Sequence, residues 1–176
     1  THVFVIACIP MDDMYCIILA AGMGKRLGGD LPKAIATTRE GALIDHVLDG
    51  ISVLKPKKTI VVVGHRRSLV EDHLRQSKHY TSLGITFAHQ ESQQGTGDAV
   101  RCALPHIEGC TGTVVITYAD HPLFTQETLT NFVEYHHFKK STLSMISFQS
   151  APPNPYGKII RDRNNNVVCI TENKDC

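Results

Sequence analysis

Short apolar runs alternate with amphipathic stretches along this chain, and that alternation constrains the fold more than any other feature of the sequence. A near-continuous apolar run is typical of a strand that is covered on both faces, as in a parallel sheet. Such runs predict strands over residues 15–20, 59–63, 84–88, 113–118 and 143–148. Helical spacing of apolar residues predicts helices over residues 42–54, 68–76, 97–104 and 125–137. The order βαβαβαβαβ is typical of an α/β fold with a doubly wound, mostly parallel sheet.

The two ends of the chain depart from this alternation. Strand-like runs at residues 157–161 and 167–171 flank a segment rich in Asp and Asn, which tolerate left-handed turns, so they predict a β-hairpin. Residues 1–14 begin with a short apolar run that lacks the preceding basic residues of a signal peptide. We interpret residues 1–14 as an extra strand or a leader.

The net charge and the aromatic content of the chain limit the kinds of molecule that it is expected to bind. The 176 residues include 18 basic and 17 acidic side chains, a net charge of +1, and aromatic residues make up 6%. This composition predicts neither a basic field nor stacking platforms for nucleic acid. The six cysteines form no Cys-x-x-Cys pair, which favours reduced thiols, and no segment is long and apolar enough to span a bilayer. We therefore expect a cytoplasmic protein that binds neither nucleic acid nor membrane.

The loop after the first predicted strand combines glycine with positive charge. Its glycines and cations are Gly22, Gly24, Gly28, Gly29, Lys25, Arg26 and Lys33. Glycines let backbone N–H groups approach a phosphate chain, and the cations offset its charge. The loop therefore predicts a phosphate site, since ligands of such sheets bind beyond the carboxyl ends of the strands.

Two common phosphate-binding motifs match this loop poorly. A P-loop needs glycine where Leu19 stands and a hydroxyl where Arg26 stands. The dinucleotide motif must open a helix at its glycines, but Gly28 and Pro32 interrupt any helix there. An NADP protein stays a minor alternative, because the Gly-His-Arg-Arg segment at residues 64–67 could bind a 2′-phosphate.

A second polar loop follows the strand at residues 84–88. The amides of Gln90 and Gln93 can read the edge of a base through paired donors and acceptors. Gly95 permits close backbone approach, and Thr96 is the predicted cap of the next helix. A polar loop with a helix cap and no ligand is the alternative.

A single carboxylate follows the strand at residues 113–118. Asp120 at the end of a central strand, beside a phosphate site, is a natural ligand for Mg²⁺. The alternative is an Asp that caps the turn before Pro122.

Together these segments resemble one family. Residues 19–26 with residues 31–33 are similar to the signature of sugar-1-phosphate nucleotidylyltransferases. Four further segments match: Gln90-x-x-Gln93-x-Gly95-Thr96-Gly97, Asp120-x-Pro122-Leu123, Pro155-Tyr156-Gly157-Lys158-Ile159 and Glu172-Asn173-Lys174-Asp175. The combination resembles the uridylyltransferase domains of bacterial N-acetylglucosamine-1-phosphate uridylyltransferases over nearly the whole chain. It implies a Rossmann-like nucleotide-diphospho-sugar transferase fold, with residues 15–176 as the nucleotidyltransferase domain.

The resemblance also implies roles for individual residues. Arg26 and Lys33 would be the catalytic cations, and Asp120 would be a ligand of the cofactor Mg²⁺. The nucleotide would be bound by Leu19, Ala20, Ala21, Gly22, Gln90, Gln93, Gly95 and Thr96. The sugar side of the site would be lined by Tyr118, Ala119, Gly157 and Glu172.

The implied reaction joins UTP and N-acetylglucosamine 1-phosphate to give UDP-N-acetylglucosamine and pyrophosphate. The sugar phosphate is already a nucleophile, so catalysis needs positioning and charge neutralisation rather than a side-chain base. UTP and a sugar 1-phosphate are therefore the expected partners, and a homo-oligomer is compatible with the sequence. The alternatives are a nucleotidyltransferase for another sugar or alcohol phosphate, such as a cytidylyltransferase, and a non-catalytic nucleotide-sugar-binding module.

Some residues depart from the pattern of this family. Lys25, Gln94, Asp98 and Ala119 replace commoner residues, although none of them removes an expected ligand. Two asparagines that complete the metal and sugar sites of the family lie further along than residue 176. We therefore interpret the domain as truncated at its carboxyl end, and whether this chain alone is active stays open.

Overall fold

The computed structural model describes residues 4–8, 13–22, 31–151, 153 and 156–171, and for residues 4–8 it describes the backbone alone. The described residues form two compact units, one that ends at Met145 and one that begins at Ile146. Within this described part, no helix has the length and apolar character needed to cross a membrane.

Strands and helices alternate through the larger unit, and the smaller unit contains a strand pair. The strands are β1 (Phe4–Cys8), β2 (Met14–Leu19), β3 (Thr37–Thr38), β4 (Gly41–Ala42), β5 (Lys58–Val63), β6 (Ile85–His89), β7 (Gly112–Tyr118), β8 (Leu143–Met145), β9 (Lys158–Arg161) and β10 (Val167–Thr171). The α-helices are α1 (Leu43–Ile51), α2 (Arg67–Arg75), α3 (His79–Ser82), α4 (Thr96–Ala103) and α5 (Gln126–Phe138). Single 3-10 turns cover Lys33–Ile35, Ser52–Leu54 and Leu104–His106.

A six-stranded sheet in the order β6-β5-β2-β7-β1-β8 organises the larger unit. β2, β5, β6 and β7 pair in parallel, whereas β1 is antiparallel to both β7 and β8. The prediction of a doubly wound, mostly parallel sheet is therefore confirmed. The chain moves outward from β2 to β5 and β6 and then returns to place β7 on the other side of β2. This change of direction opens a crevice beyond the carboxyl ends of β2 and β7.

The central strands contain continuous apolar runs, and their apolar residues are buried on both faces of the sheet. Ile17 and Ile18, which point to opposite faces of β2, are at most 1% exposed, and Ile60 and Val61 of β5 are fully buried. Helices α2 and α4 pack against β5. A strand covered in this way has no solvent face on which polar residues would alternate, which explains the continuous apolar runs of the sequence.

The structure differs from the sequence prediction in some details. The strand predicted over residues 143–148 ends at Met145, which pairs with Phe4, the first residue of β1, so the ladder ends there. The prediction that Thr96 caps its helix is wrong, because α4 begins at Thr96 and Gly95 takes the cap position. Gly95 has a φ of 102°, a conformation that glycine adopts without strain. The insertion of β1 between β7 and β8 was not predicted.

The smaller unit contains the predicted β-hairpin. β9 and β10 pair in antiparallel fashion. The carboxylate of Asp162 accepts hydrogen bonds from the backbone N–H groups of Asn164 and Asn166, both at 2.8 Å. Asn165 has a φ of 67°, in the left-handed region that Asn tolerates. Short polar side chains thus close the turn, and the hairpin prediction is confirmed.

A buried histidine lies where α5 meets β8, and we expect it to make the stability of the larger unit depend on pH. His136 is 1% exposed, its Nδ1 lies 2.8 Å from the hydroxyl of Ser144, and its Nε2 has no partner among the described residues. Burial, and to a smaller extent the neighbouring His137, hold the pKa of His136 below its ordinary value of 6.5. As the pH falls, the unfolded chain therefore takes up this proton before the folded chain does.

We expect the free energy of unfolding to decrease as the pH falls below 6.5. The loss from this group amounts to at most about 1.4 kcal/mol per pH unit, since one proton is involved. Urea unfolding of the wild type and of His136→Asn at a series of pH values measures it. The variant should lose less stability in acid than the wild type, and parallel pH profiles would show that His136 does not contribute.

Candidate active site

A cavity of about 300 Å³ opens at the carboxyl edge of the sheet, beyond the ends of β2 and β7. Its walls come from the end of β2, the 3-10 turn after Pro32, the loop that leads into α4, and the end of β7. The predicted site residues that line it are Leu19, Ala20, Ala21, Gly22, Lys33, Gln90, Gln93, Gly95, Thr96, Tyr118, Ala119 and Asp120. The fold therefore brings to one place loops that are far apart in the sequence.

Three predicted residues lie outside the described part of the larger unit. Arg26 and Glu172 lie outside the described residues. Gly157 belongs to the smaller unit, where it precedes β9. Conversely, Ala34 and Ala99 line the cavity although they belong to none of the predicted binding segments. Ala99 lies one helical turn after the start of α4, so helical periodicity could have placed it beside the predicted residues.

Hydrogen bonds between neighbouring strand ends hold the backbone at the base of the cavity. Leu19 pairs with Tyr118 in the parallel ladder, and the N–H of Ala119 donates to the carbonyl of Leu19 at 3.0 Å. On the other side, the N–H of Ala20 donates to the carbonyl of Val62 at 2.8 Å. The two loops that begin here are therefore positioned by the sheet itself.

Close packing at Gly64 joins two walls of the cavity. A Cβ at this position would lie 3.0 Å from the Cβ and the carbonyl oxygen of Ala21 and 3.0 Å from Nε2 of Gln93. In the space that glycine leaves, the Gln93 amide donates to the carbonyl of Ala21 at 3.4 Å. A larger residue would separate the loop after β6 from the loop after β2.

A buried amide, Gln90, stands in the wall between β6 and α4. The residue is 4% exposed, and its backbone N–H donates to the carbonyl of Val63 at 2.8 Å. Its side-chain Nε2 donates to the carbonyl of Gly95 at 3.1 Å and to Oδ2 of Asp98 at 2.8 Å. The bond from Gln90, together with one from Arg101, holds the pKa of Asp98 below its usual range. The amide is therefore fixed against the first turn of α4.

An ion pair crosses the opposite end of the cavity. Nζ of Lys33 lies 2.5 Å from Oδ2 of Asp120, and both side chains remain partly exposed. The 3-10 turn at Lys33–Ile35 supplies the lysine, and the end of β7 supplies the carboxylate. Among the described residues, the hydrogen-bond partner of this carboxylate is Lys33 rather than the backbone of the turn before Pro122. The alternative of an Asp that serves as a turn cap is thereby disfavoured.

The imidazole of His121 lies next to this carboxylate. The ring of His121 lies 4.7 Å from that of Tyr118, centroid to centroid, and Nε2 of His121 is 3.5 Å from Oδ1 of Asp120. Burial lowers the pKa of His121 despite the nearby negative charge of Asp120. The lowered pKa favours the neutral form of this imidazole at neutral pH, in which it adds no positive charge beside Asp120.

The donor set at Asp120 suits a divalent cation that substrate phosphates help to bind. In the part of the chain that the structure describes, no group of three or more His, Cys, Asp or Glu side chains could hold a metal ion by itself. Mg²⁺ needs no such cage, because it is usually held by one or two carboxylates together with water and substrate phosphates. The carboxylate of Asp120 thus fits Mg²⁺ as a single protein ligand.

Comparison with known families and proteins gives a consistent result. The family model of the MobA-like NTP transferase domain matches residues 16–165. The bifunctional protein GlmU of Streptococcus sanguinis is 38% identical over 162 residues, which are 92% of this chain and 34% of that protein. The chain thus spans about a third of the length of this relative.

Solved structures show the same fold at low sequence identity. HddC from Yersinia pseudotuberculosis superposes with a TM-score of 0.65 at 18% identity, covering 90% of this chain and 68% of HddC, and it has also been solved with GMP-PN. A UDP-glucose pyrophosphorylase complexed with UDP-glucose superposes with a TM-score of 0.54 at 17% identity, covering 71% of this chain and 55% of that protein.

Proposed function

Because the chain belongs to the family of MobA-like NTP transferase domains, we propose that it transfers a uridylyl group from UTP to a sugar 1-phosphate. We further propose N-acetylglucosamine 1-phosphate as the acceptor and Mg²⁺ as the cofactor. The observation that carries the proposal is the single cavity in which Gln90, Lys33 and Asp120 meet. One end of this cavity offers amide and backbone groups, and the other end offers a cation beside a carboxylate.

The two ends of the cavity suit the two parts of a nucleoside triphosphate. A volume of about 300 Å³ lies within the range of small-molecule sites. The backbone of residues 19–22, together with Gln90 and Gly95, would hold the uracil and the ribose. The triphosphate would extend toward Lys33 and toward Arg26, which lies outside the described residues.

The proposed uridylyl transfer requires neutralisation of negative charge at the end of the cavity that contains Lys33 and Asp120. A phosphate oxygen of the sugar 1-phosphate attacks the α-phosphorus of UTP, and the bond to the bridging oxygen breaks to release pyrophosphate. The ammonium of Lys33 would donate hydrogen bonds to phosphate oxygens as negative charge moves onto the leaving group. Mg²⁺ bound at Asp120 would offset further negative charge on the phosphates. No side chain has to remove a proton, because the attacking oxygen is already ionised.

The motif combination at residues 90–97 and 155–159 supports a uridylyltransferase over its alternatives. A cytidylyltransferase would have to bind cytosine at Gln90, and the hydrogen-bonding edge of cytosine differs from that of uracil. The structure of HddC with GMP-PN shows that a protein of this fold accepts a guanine nucleotide analogue, so GTP belongs in any test. A non-catalytic nucleotide-sugar-binding module would bind UTP without turnover.

Thermal unfolding in a panel of nucleotides tests the choice of base. We expect UTP with Mg²⁺ to stabilise the protein by roughly 2.7 kcal/mol at a hundred times its Kd, because it binds the folded state alone. For a domain of this size the shift in Tm is roughly 5 to 10 °C. CTP, GTP and NADPH at the same concentration should shift the Tm far less. Equal stabilisation by CTP or GTP would contradict the assignment of uracil.

Measurement of pyrophosphate release separates the enzyme from the binding module. The assay supplies UTP, Mg²⁺ and N-acetylglucosamine 1-phosphate, with glucose 1-phosphate as the matched acceptor control. Release that depends on the N-acetylated sugar supports the full proposal. Release with either sugar would indicate a uridylyltransferase of broader acceptor range. UTP binding without release would favour the module.

A further inference from the structure

The first turn of α4 contains a carboxylate that bonds to the proposed base-reading amide. Asp98 is part of α4, and its side chain is 13% exposed. Its Oδ2 accepts a hydrogen bond from Nε2 of Gln90 at 2.8 Å, and its Oδ1 accepts one from Arg101 at 2.5 Å. The carboxylate therefore joins Gln90, which stands in the cavity wall, to a cation on the exposed side of the helix.

The hydrogen-bond capacity of Gln90 determines what this residue can offer a ligand. A glutamine amide has two N–H donors on its nitrogen and an acceptor oxygen. One donor is directed to the carbonyl of Gly95 and the other to the carboxylate of Asp98. With both donors engaged, the oxygen is the polar atom of this amide that remains for a ligand.

The opposite orientation of the amide is unfavourable. A rotation of the amide by half a turn would place its oxygen against the carbonyl of Gly95 and the carboxylate of Asp98. Three acceptors would then face one another, and the carbonyl of Gly95 and the carboxylate of Asp98 would lose their donor. An ionised Asp98 has no proton with which to repair this arrangement, and its lowered pKa keeps it ionised at neutral pH.

We infer that Asp98 is a positioning residue that fixes the amide of Gln90 with its oxygen directed to the base, and that this orientation selects a base with an imino N–H. The inference rests on the proposed function. Uracil offers an N3–H donor to the oxygen, whereas N3 of cytosine is an unprotonated acceptor that the oxygen repels. Guanine also has an imino N–H, so this contact discriminates against cytosine rather than against guanine.

Two substitutions of Asp98 and one matched control test this inference. Asp98→Ala removes one of the two acceptors that hold the amide nitrogen, so the amide of Gln90 can rotate and present its N–H to N3 of cytosine. Asp98→Asn has the same shape and keeps one acceptor oxygen, but it lacks the charge that excludes the rotated amide. Arg101→Gln removes the other partner of Asp98 and leaves the contact with Gln90 in place.

The first measurement is the ratio of the Kd values for UTP and CTP, determined by calorimetry with Mg²⁺ present. We expect the preference for UTP to fall about tenfold in Asp98→Ala, because one unsatisfied buried hydrogen bond accounts for that much discrimination. Asp98→Asn should fall between Asp98→Ala and the wild type, and Arg101→Gln should retain the wild-type ratio. A general weakening of the fold would lower both affinities and leave their ratio unchanged.

The second measurement needs no nucleotide. In ¹⁵N-labelled protein, the side-chain NH₂ signals of Gln90, assigned with Gln90→Glu, should shift in Asp98→Ala and remain in place in Arg101→Gln. Unchanged NH₂ signals in Asp98→Ala, or an unchanged UTP to CTP ratio in a protein that selects UTP, would overturn the inference. A wild-type protein that binds neither nucleotide would overturn the proposed function instead, and the NMR result would still decide whether Asp98 fixes Gln90.

Discussion

Replacement of Lys33 by alanine is expected to lower the rate of pyrophosphate release about a hundredfold or more. Lys33 faces the cavity from the 3-10 turn, and its ammonium lies 2.5 Å from the carboxylate of Asp120. It is therefore placed where the triphosphate and the divalent cation would meet. Loss of this cation removes positive charge from the position at which negative charge develops on the leaving pyrophosphate, so the effect should appear mainly in kcat.

A second lysine provides the matched control for this prediction. Nζ of Lys57 pairs with Asp13 at 2.8 Å, before the start of β5 and therefore at the opposite edge of the sheet from the cavity. Lys57→Ala removes an ion pair of the same type, and such partly exposed pairs contribute little to stability. Turnover of Lys57→Ala should stay near that of the wild type. Near-wild-type turnover of Lys33→Ala would exclude Lys33 from the catalytic machinery.

The sheet and the position of the cavity were predictable because they depend on short-range patterns. The apolar runs at β2, β5 and β7 predict buried parallel strands, and the alternation with helices predicts where their carboxyl ends meet. Glycine and charged residues directly after these strands then predict a phosphate site at that edge. None of these steps needs a distance between residues that are remote in the sequence.

The contacts between loops were not predictable in the same way. The approach of Gln93 to Ala21 depends on the absence of a side chain at Gly64, and no local pattern links these positions. The bond between Gln90 and Asp98 crosses the turn at Gly95, whose φ of 102° determines how the loop enters α4. The sequence pattern predicts the helix cap at Thr96, one residue too late for this geometry. Asp98 therefore stood out in the sequence only as a departure from the family pattern.

The antiparallel strand β1 shows a further limit of pattern-based prediction. Its short apolar run is compatible with a strand or a leader, and nothing in it specifies a partner. In the structure it pairs with β7 on one side and β8 on the other. The connection from β7 through α5 places β8 two strand positions away from β7. The position between β7 and β8 is occupied by β1. The partners of β1 are therefore determined by the assembled sheet and cannot be predicted from the sequence of β1 alone.

Replacement of Asp120 by asparagine is expected to lower turnover about a hundredfold or more and, unlike Lys33→Ala, to weaken metal binding as well. Asparagine keeps the shape of the side chain and one oxygen that can accept from Lys33, but it lacks the negative charge that attracts a divalent cation. Binding of Mn²⁺ to the protein in the presence of UTP, followed by electron paramagnetic resonance, measures this loss. The imidazole of His121 next to Asp120 is not expected to take over as the ligand, because Mn²⁺, like Mg²⁺, is suited to carboxylate, carbonyl and water oxygens.

A comparison of the two variants separates the roles of the two side chains. Lys33→Ala should lose turnover and still bind Mn²⁺, because the carboxylate of Asp120 remains and is relieved of a competing cation. Asp120→Asn should lose both properties, and Asp13→Asn, which breaks the matched ion pair with Lys57, should lose neither. The double variant should be little slower than the slower single variant, because residues that act on the same phosphates do not contribute additively. Mn²⁺ binding that persists in Asp120→Asn would place the metal elsewhere in the site and leave Asp120 as the partner of Lys33 alone.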